Sequence, residues 1–156
     1  MKLTLLAENL QKKISFLNHA VSSRSQLPIL SNFLIEAKKG KLKISATDLE
    51  IGIITHVSAN VENEGSVTVP AKTFSELVMN VGEGKVELSL SENSLKFKGN
   101  KVDAVFQTMP AEDFPKIHEG RGDEVASLSR KDIEKEFSRI VFRLLKTAVG
   151  QPCQEF

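Results

Sequence analysis

Three stretches of this chain open a helix in the same way, and that recurrence constrains the fold more than any other feature. The starts Ala7-Glu8-Asn9-Leu10, Ala71-Lys72-Thr73-Phe74 and Arg130-Lys131-Asp132-Ile133 align without gaps, 64 and then 59 residues apart. Before the first start, Lys2–Leu6 alternates polar and apolar residues, the period of an extended strand. After it, Leu10, Ile14, Leu17 and Val21 follow i, i+4, i+7 and i+11, so Glu8 to Val21 reads as a helix with one apolar stripe. Glu8, Lys12, Ser15 and His19 lie on its other face. A polar loop closes at Pro28, and three strand-like stretches follow at Ser31–Ala37, Lys41–Thr47 and Ile51–Val57, with Lys39-Gly40 as the first turn. The same order then recurs. Ser66–Val69 reads as a strand, and Lys72–Val81 as a helix with Phe74, Leu77, Val78 and Val81 on one face and Lys72, Glu76 and Met79 opposite. Gly82 stands just past its end. Strands are expected again at Val86–Leu90, Ser94–Lys98 and Lys101–Gln107. Both halves therefore read β-α-β-β-β, and a long period with constant element order marks a structural repeat.

A third copy begins after a polar linker, His118–Asp123. Glu124–Leu128 is expected to be a strand, followed by a helix from about Arg130 with Ser129 and Asp132 as a capping box. Ile133, Phe137, Ile140 and Val141 form its apolar face, with Lys131, Lys135 and Ser138 opposite. Each unit offers one amphipathic helix and a small sheet. Two units can pack both helices against a shared sheet face, an α+β arrangement that leaves the outer helix faces side by side.

Composition narrows the function. A chain of 156 residues suits one domain, or one domain and a piece of another. It buries enough core to need no disulfide or metal. Cys153 is the only cysteine, so neither a disulfide framework nor a thiol-rich zinc site can be built. His19, His56 and His118 share no ligand spacing, and no phosphate loop or nucleophile motif is present; no cofactor is expected. The apolar run at the N-terminus is too short for a signal peptide and no window is long enough for a membrane span, so a cytoplasmic protein is expected. With 21 basic and 20 acidic residues the chain is not coated in positive charge, and nucleic-acid contact would depend on local placement. The absence of Trp and Tyr argues against stacking on single-stranded bases. A catalytic reading of Asp48, Glu50 and His56 finds no support in their spacing. Asp48 and Asp113 read instead as turn acceptors.

Four stretches carry a resemblance: LPILSNFLIE at Leu27–Glu36, ATDLEIGI at Ala46–Ile53, VPAKTF at Val69–Phe74 and TMPAEDFP at Thr108–Pro115. Together with the opening MKLTLLAENL they resemble the bacterial sliding clamp, the beta subunit of DNA polymerase III, in order and spacing from Met1 to about Phe142. The resemblance implies a DNA-clamp fold with three similar domains per chain. Each domain would hold two β-α-β-β-β halves, with two helices packed on a curved antiparallel sheet. Two chains would close head to tail into a ring around duplex DNA, helices inward. The implied role is that of a non-catalytic processivity factor, loaded by a clamp loader, that tethers DNA polymerase III. Its inner wall should attract phosphates without reading bases. Candidate DNA-facing residues are Lys12 and Lys13 on the first helix, Lys72 on the second, and Lys131, Lys135 and Arg139 on the third. Arg24 matches the family's DNA-contacting arginine in the loop before LPIL. Glu8 and Glu76, on the same helix faces, dilute the positive charge.

By this resemblance residues 1–117 form the clamp N-terminal domain, 118–123 a linker, and 124–142 the first strand and helix of the central domain. The stretch 143–156 fits no strand pattern. Read one base earlier, the codons possible for Leu145–Phe156 allow the Pro-x-Leu-Ser order seen in Ser23–Phe33. An out-of-frame tail beginning near Arg143 is therefore expected. In the family, the pocket for partner peptides lies in the later domains. A chain stopping here would keep part of the DNA-facing wall and one interface edge near Lys101–Gln107, and would be impaired as a clamp on its own. A free-standing module that caps or competes with full-length clamp stays open as the alternative.

Overall fold

The structure, a computed structural model, describes residues 1–22, 27–118 and 127–148, with side chains as far as Val141 in the last stretch. The chain divides into two units, Met1–His118 and Glu119–Phe156.

In the first unit the chain order is β1 (Lys2–Leu6), α1 (Ala7–Leu17), β2 (Asn32–Lys38), β3 (Lys41–Thr47), β4 (Gly52–Ser58) and β5 (Asn60–Asn63). It continues with β6 (Gly65–Pro70), α2 (Ala71–Asn80), β7 (Lys85–Ser91), β8 (Ser94–Gly99) and β9 (Val102–Gln107). The strands form two antiparallel sheets, β5-β1-β7-β8-β9 and β4-β3-β2-β6. The first strand of each half has crossed into the other half's sheet. β1 pairs with β7, while β6 pairs with β2.

The two crossings match residue by residue. Leu3 stands opposite Leu88 and Leu5 opposite Val86. At positions 64 further on, Val67 stands opposite Ile35 and Val69 opposite Phe33. The hairpins correspond as well, with an offset of 53: Ile35 faces Ile44 and Ala37 faces Leu42, as Leu88 faces Phe97 and Leu90 faces Leu95. Shared registers are expected of a duplicated unit, because a slip of one residue would turn every apolar side chain to the other face.

Burial follows the same correspondence. Ala7, Leu10, Ile14 and Leu17 of the first half and Ala71, Phe74, Val78 and Val81 of the second are all buried, within one core that takes in both sheets and both helices. Phe74 is its centre. Its ring meets Phe33 at 6.5 Å, Phe97 at 6.2 Å and Phe106 at 5.5 Å, each edge to face. This is the favoured geometry for aromatic quadrupoles, and it joins α2 to both sheets at once. A second small cluster of Ile29, Leu30 and Phe114, joined by Leu34 and Ile117, lies beside it. The sheets are stitched together where β4 runs through Ala59 into β5 and where Thr68 and Met109 exchange backbone bonds of 3.1 and 3.3 Å.

Several boundaries differ from those read in the sequence. The first helix, expected to reach Val21, is α-helical only to Leu17 and tightens into a 3₁₀ turn at Asn18–Ala20. There the Asn18 carboxamide oxygen accepts a 2.8 Å bond from the Ser75 hydroxyl. The strand expected from Ser31 begins at Asn32, because Pro28–Ser31 is a 3₁₀ turn opened by proline, which has no amide hydrogen to leave unsatisfied there. β5 was not anticipated, since its sequence NVEN offers one apolar residue and no readable alternation. The remaining strands form within one residue of the expected bounds, with β4 starting at Gly52 instead of Ile51 and β9 at Val102 instead of Lys101. The Lys39-Gly40 turn stands as expected, and both its residues have positive φ, 46° and 75°.

In the second unit, α3 spans Arg130–Ala148. The Asp132 amide donates to the Ser129 hydroxyl oxygen at 3.2 Å, and that hydroxyl donates to the Asp132 carboxylate at 2.6 Å. The cap is thus closed through the hydroxyl. Of the strand expected at Glu124–Leu128, Glu124 to Ala126 lie outside the described residues, while Ser127 and Leu128 are not in a strand. Of the expected tail, residues 149–156, with Cys153, also lie outside the described residues. α3 itself continues past Arg143, where the tail was expected to begin.

Replacing Phe74 with Ala removes three ring contacts from a site with no exposure. It should lower the free energy of unfolding by about 3–5 kcal/mol in urea titrations. Phe16→Ala, at an exposed helix position, should change it by no more than about 0.5 kcal/mol.

Candidate nucleic-acid interface

The buried stripes of α1 and α2 determine which side chains those helices present outward. The helices are tied together directly: the Gln11 carboxamide nitrogen donates to the Val78 carbonyl at 2.9 Å. On the solvent side α1 shows Asn9, Lys12, Lys13, Ser15 and Phe16, and α2 shows Lys72, Thr73, Glu76, Met79 and Asn80, all exposed. Among the described residues, Lys12, Lys13 and Lys72 enter no ion pair. Glu8 is half-buried, and its carboxylate accepts a 3.3 Å bond from the Gly84 amide. Glu76 remains exposed as the opposing charge on α2. The face is therefore mildly positive, built of flexible ammonium groups with no preset fork geometry. It can attract phosphate oxygens, but neither helix carries an arginine for bidentate reading of a base edge.

Lys131, Lys135 and Arg139 belong to the other unit, where they fall at i, i+4 and i+8 along α3 and are exposed. Arg139 bonds Glu136 at 2.8 Å, and Arg130 bonds Glu134 at 2.7 Å. Ile133, Phe137, Ile140 and Val141 are exposed on the same helix. Arg24 lies outside the described residues. The sequence reading did not single out Asn9 and Thr73, exposed hydrogen-bonding residues at equivalent places near the two helix starts. The 64-residue offset alone would have paired them.

The alternative Asp48–Glu50–His56 constellation resolves into a turn and a strand. One Asp48 carboxylate oxygen accepts the amides of Glu50 at 3.0 Å and Ile51 at 2.7 Å. The Thr47 hydroxyl accepts the Leu49 amide at 3.0 Å and donates to the Ile51 carbonyl at 2.9 Å. These bonds hold Leu49 at a φ of 78°. The Asp48 carboxyl titrates below the usual aspartate range, chiefly because the Ile51 amide bonds its charged form. His56 stands on β4, exposed and directly across from Lys43. Among the described residues no three His, Cys, Asp or Glu side chains gather as a metal site. No described helix is long and apolar enough to cross a membrane.

Comparison with known proteins places this geometry. The family model for the DNA polymerase III beta subunit, N-terminal domain, matches residues 1–118. A beta sliding clamp of Caulobacter vibrioides is 35% identical over 124 residues, covering 74% of this chain and 32% of the relative. One of Vibrio cholerae is 29% identical over 146 residues, covering 92% of this chain and 40% of the relative. Among solved structures, a Caulobacter crescentus beta sliding clamp superposes with a TM-score of 0.72 at 35% identity, covering 76% of this chain and 32% of the other. The chain thus spans about 40% of the length of the first curated relatives it matches.

The lowered Asp48 pKa has a signed consequence for stability. A carboxyl depressed by folding contributes above its unfolded value of about 3.9 and loses that contribution as pH falls through the folded value. Asp48→Asn should therefore be less stable than the parent near neutral pH. Urea midpoints measured across the acid range should converge below about pH 4. A constant gap at all pH values would show that the carboxylate charge has no part in holding the turn.

Proposed function

Because the chain belongs to the family of the DNA polymerase III beta subunit N-terminal domain, we propose that it supplies a stretch of the wall of a ring around duplex DNA. The observation that carries this reading is the outward face of the paired helices α1 and α2, where Lys12, Lys13 and Lys72 stand exposed with no ion pair among the described residues. A ring is kept on its duplex by topology, so the wall has no need of a tight grip. Weak, sequence-independent attraction to phosphates keeps the duplex centred and lets the ring slide. Arg24, which follows α1 in the sequence, and Lys131, Lys135 and Arg139 on α3 extend the same phosphate-facing role. The ring performs no chemistry of its own; it keeps DNA polymerase III at the template and is placed on DNA by a clamp loader.

On this reading residues 1–117 are the clamp's N-terminal domain, 118–123 the linker and 124–142 the opening of its central domain, with 143–156 an out-of-frame tail. Two chains of full length join head to tail. A second reading has support in β9, whose only strand partner among the described residues is β8. An open strand edge is a template for pairing, so the chain could cap or compete with full-length clamp.

Binding to linear duplex measured against salt tests the first reading. Each lysine that neutralises a phosphate contributes about 0.9 to the slope of log affinity against log salt. The Lys12→Ala, Lys13→Ala and Lys72→Ala variants should each flatten the slope by up to that amount, equally on unrelated sequences. An unchanged slope in all three would remove these helices from the interface. For the second reading, light scattering on a mixture with intact clamp should show a mass above that of either component; unchanged masses would dismiss capping.

A further inference from the structure

The four-stranded sheet carries a basic cleft on the face turned away from the core. Glu36, Lys38, Lys39, Lys41, Lys43 and His56 line it, and its volume is about 320 Å³. In β2 and β3 these residues alternate with the buried Ile35, Ala37, Leu42 and Ile44, so the cleft lies outside the core that α1 and α2 share. Among the described residues of the lining Glu36 is the one acid. It meets Lys43 at 2.8 Å and Lys38 at 3.9 Å. At the margin the Glu64 carboxylate accepts the Lys39 amide at 3.1 Å. Four lysines thus share the cleft with one carboxylate.

Two features of this cluster work against stability. Lys38 and Lys41 stand directly across from each other in the β2–β3 ladder, where like charges repel. Lys39 occupies a left-handed backbone position, with φ 46°, that suits glycine or asparagine better. The second half of the chain provides an internal control. Its β7–β8 hairpin has the same register, with Ser91 across from Ser94 where the first half has Lys38 across from Lys41. At the place of Lys39 it has Glu92, with φ 49°. The hairpin therefore forms without lysine at any of these three positions, and the fold does not account for the charge.

We propose that this cleft docks an acidic peptide segment of a partner protein. Its chemistry favours a peptide over a nucleic acid. Among the described residues the lining has no Phe, Tyr or Trp to stack on a base, only the small imidazole of His56, and no arginine fork for a phosphate. Glu36, among the lysines, can accept amide hydrogens, which a peptide backbone brings along with carboxylates for the lysines and a phosphate chain lacks. The volume suits a few side chains and not a duplex backbone.

Fluorescence anisotropy with a labelled oligoglutamate peptide at low salt, on the full chain, tests the assignment. Lys38→Ser, Lys39→Glu and Lys41→Ser combined give the first hairpin residues that the second already folds with. Saturable binding by the parent chain, weakened about tenfold or more in this triple variant, is expected. Lys98→Ser, an exposed lysine on β8 outside the cleft, should bind like the parent. Thermal unfolding checks that the triple variant folds, and Lys41→Ser alone, with a loss of about two- to threefold, serves if it does not. Equal binding by parent and variants, or equal loss in Lys98→Ser, would overturn the proposal. So would tighter binding of oligothymidylate that the same substitutions abolish, which would make the cleft a nucleic-acid site.

Discussion

The exchange of first strands between the two halves is the constraint on which the rest of the structure depends. Neither half has a complete sheet of its own. The meander β2-β3-β4 gains its fourth strand from β6, and β7-β8-β9 gains β1. Each exchanged strand leads without a gap into a helix: β1 ends at Leu6 and α1 begins at Ala7, while β6 ends at Pro70 and α2 begins at Ala71. Pairing a strand with the opposite half therefore also places its helix over the joint core. The core takes side chains from both sheets and both helices, so each half requires the other to bury its apolar face.

That arrangement explains how little freedom the helices retain. Phe74 meets rings from β2, β8 and β9, and those strands come from both sheets. The Gln11 bond to the Val78 carbonyl and the Ser75 bond to Asn18 tie α1 to α2 and to the turn that follows α1. A surface made from the outer faces of two helices so fixed is rigid at its backbone. Its lysines remain mobile, because only their stems are anchored. A rigid backbone with mobile charges suits the attraction without a fixed register that is proposed for this face.

The halves and their helix faces were legible in the sequence because helical and strand periods report which face of an element is buried. They do not report which neighbour it pairs with. Leu3 and Leu5 mark β1 as half-buried, but nothing local to them points to β7, on the far side of five strands and two helices. For the same reason the sequence implied one shared sheet face, and the division into two hydrogen-bonded sheets emerged only with the long-range pairings. The candidate site shows the same divide. Helical phase put Lys12, Lys13 and Lys72 outward, whereas the engagement of Glu8 by the Gly84 amide depends on a contact 76 residues away. The basic cleft also escaped a reading by periods, since Lys38, Lys41 and Lys43 gather only when β2 and β3 pair.

The duplication turns the chain into its own comparison. Inside, equivalent positions hold like residues: Leu3 and Val67, Ala7 and Ala71, Leu10 and Phe74 are all buried. Outside, equivalent positions diverge in charge. Glu8 answers to Lys72 and Lys12 to Glu76 on the helices, and Lys38 and Lys39 answer to Ser91 and Glu92 on the hairpins. Packing restricts the first set, since cores respond to changes of a single methylene. It places no such demand on the second. The swapped signs on α1 and α2 keep the helix face only faintly positive, while Lys38, Lys39 and Lys41 at the first hairpin turn have no basic counterpart in the second. A near-neutral chain can thus present two electrostatically distinct surfaces, because what a partner meets is the local arrangement of charge and not its sum.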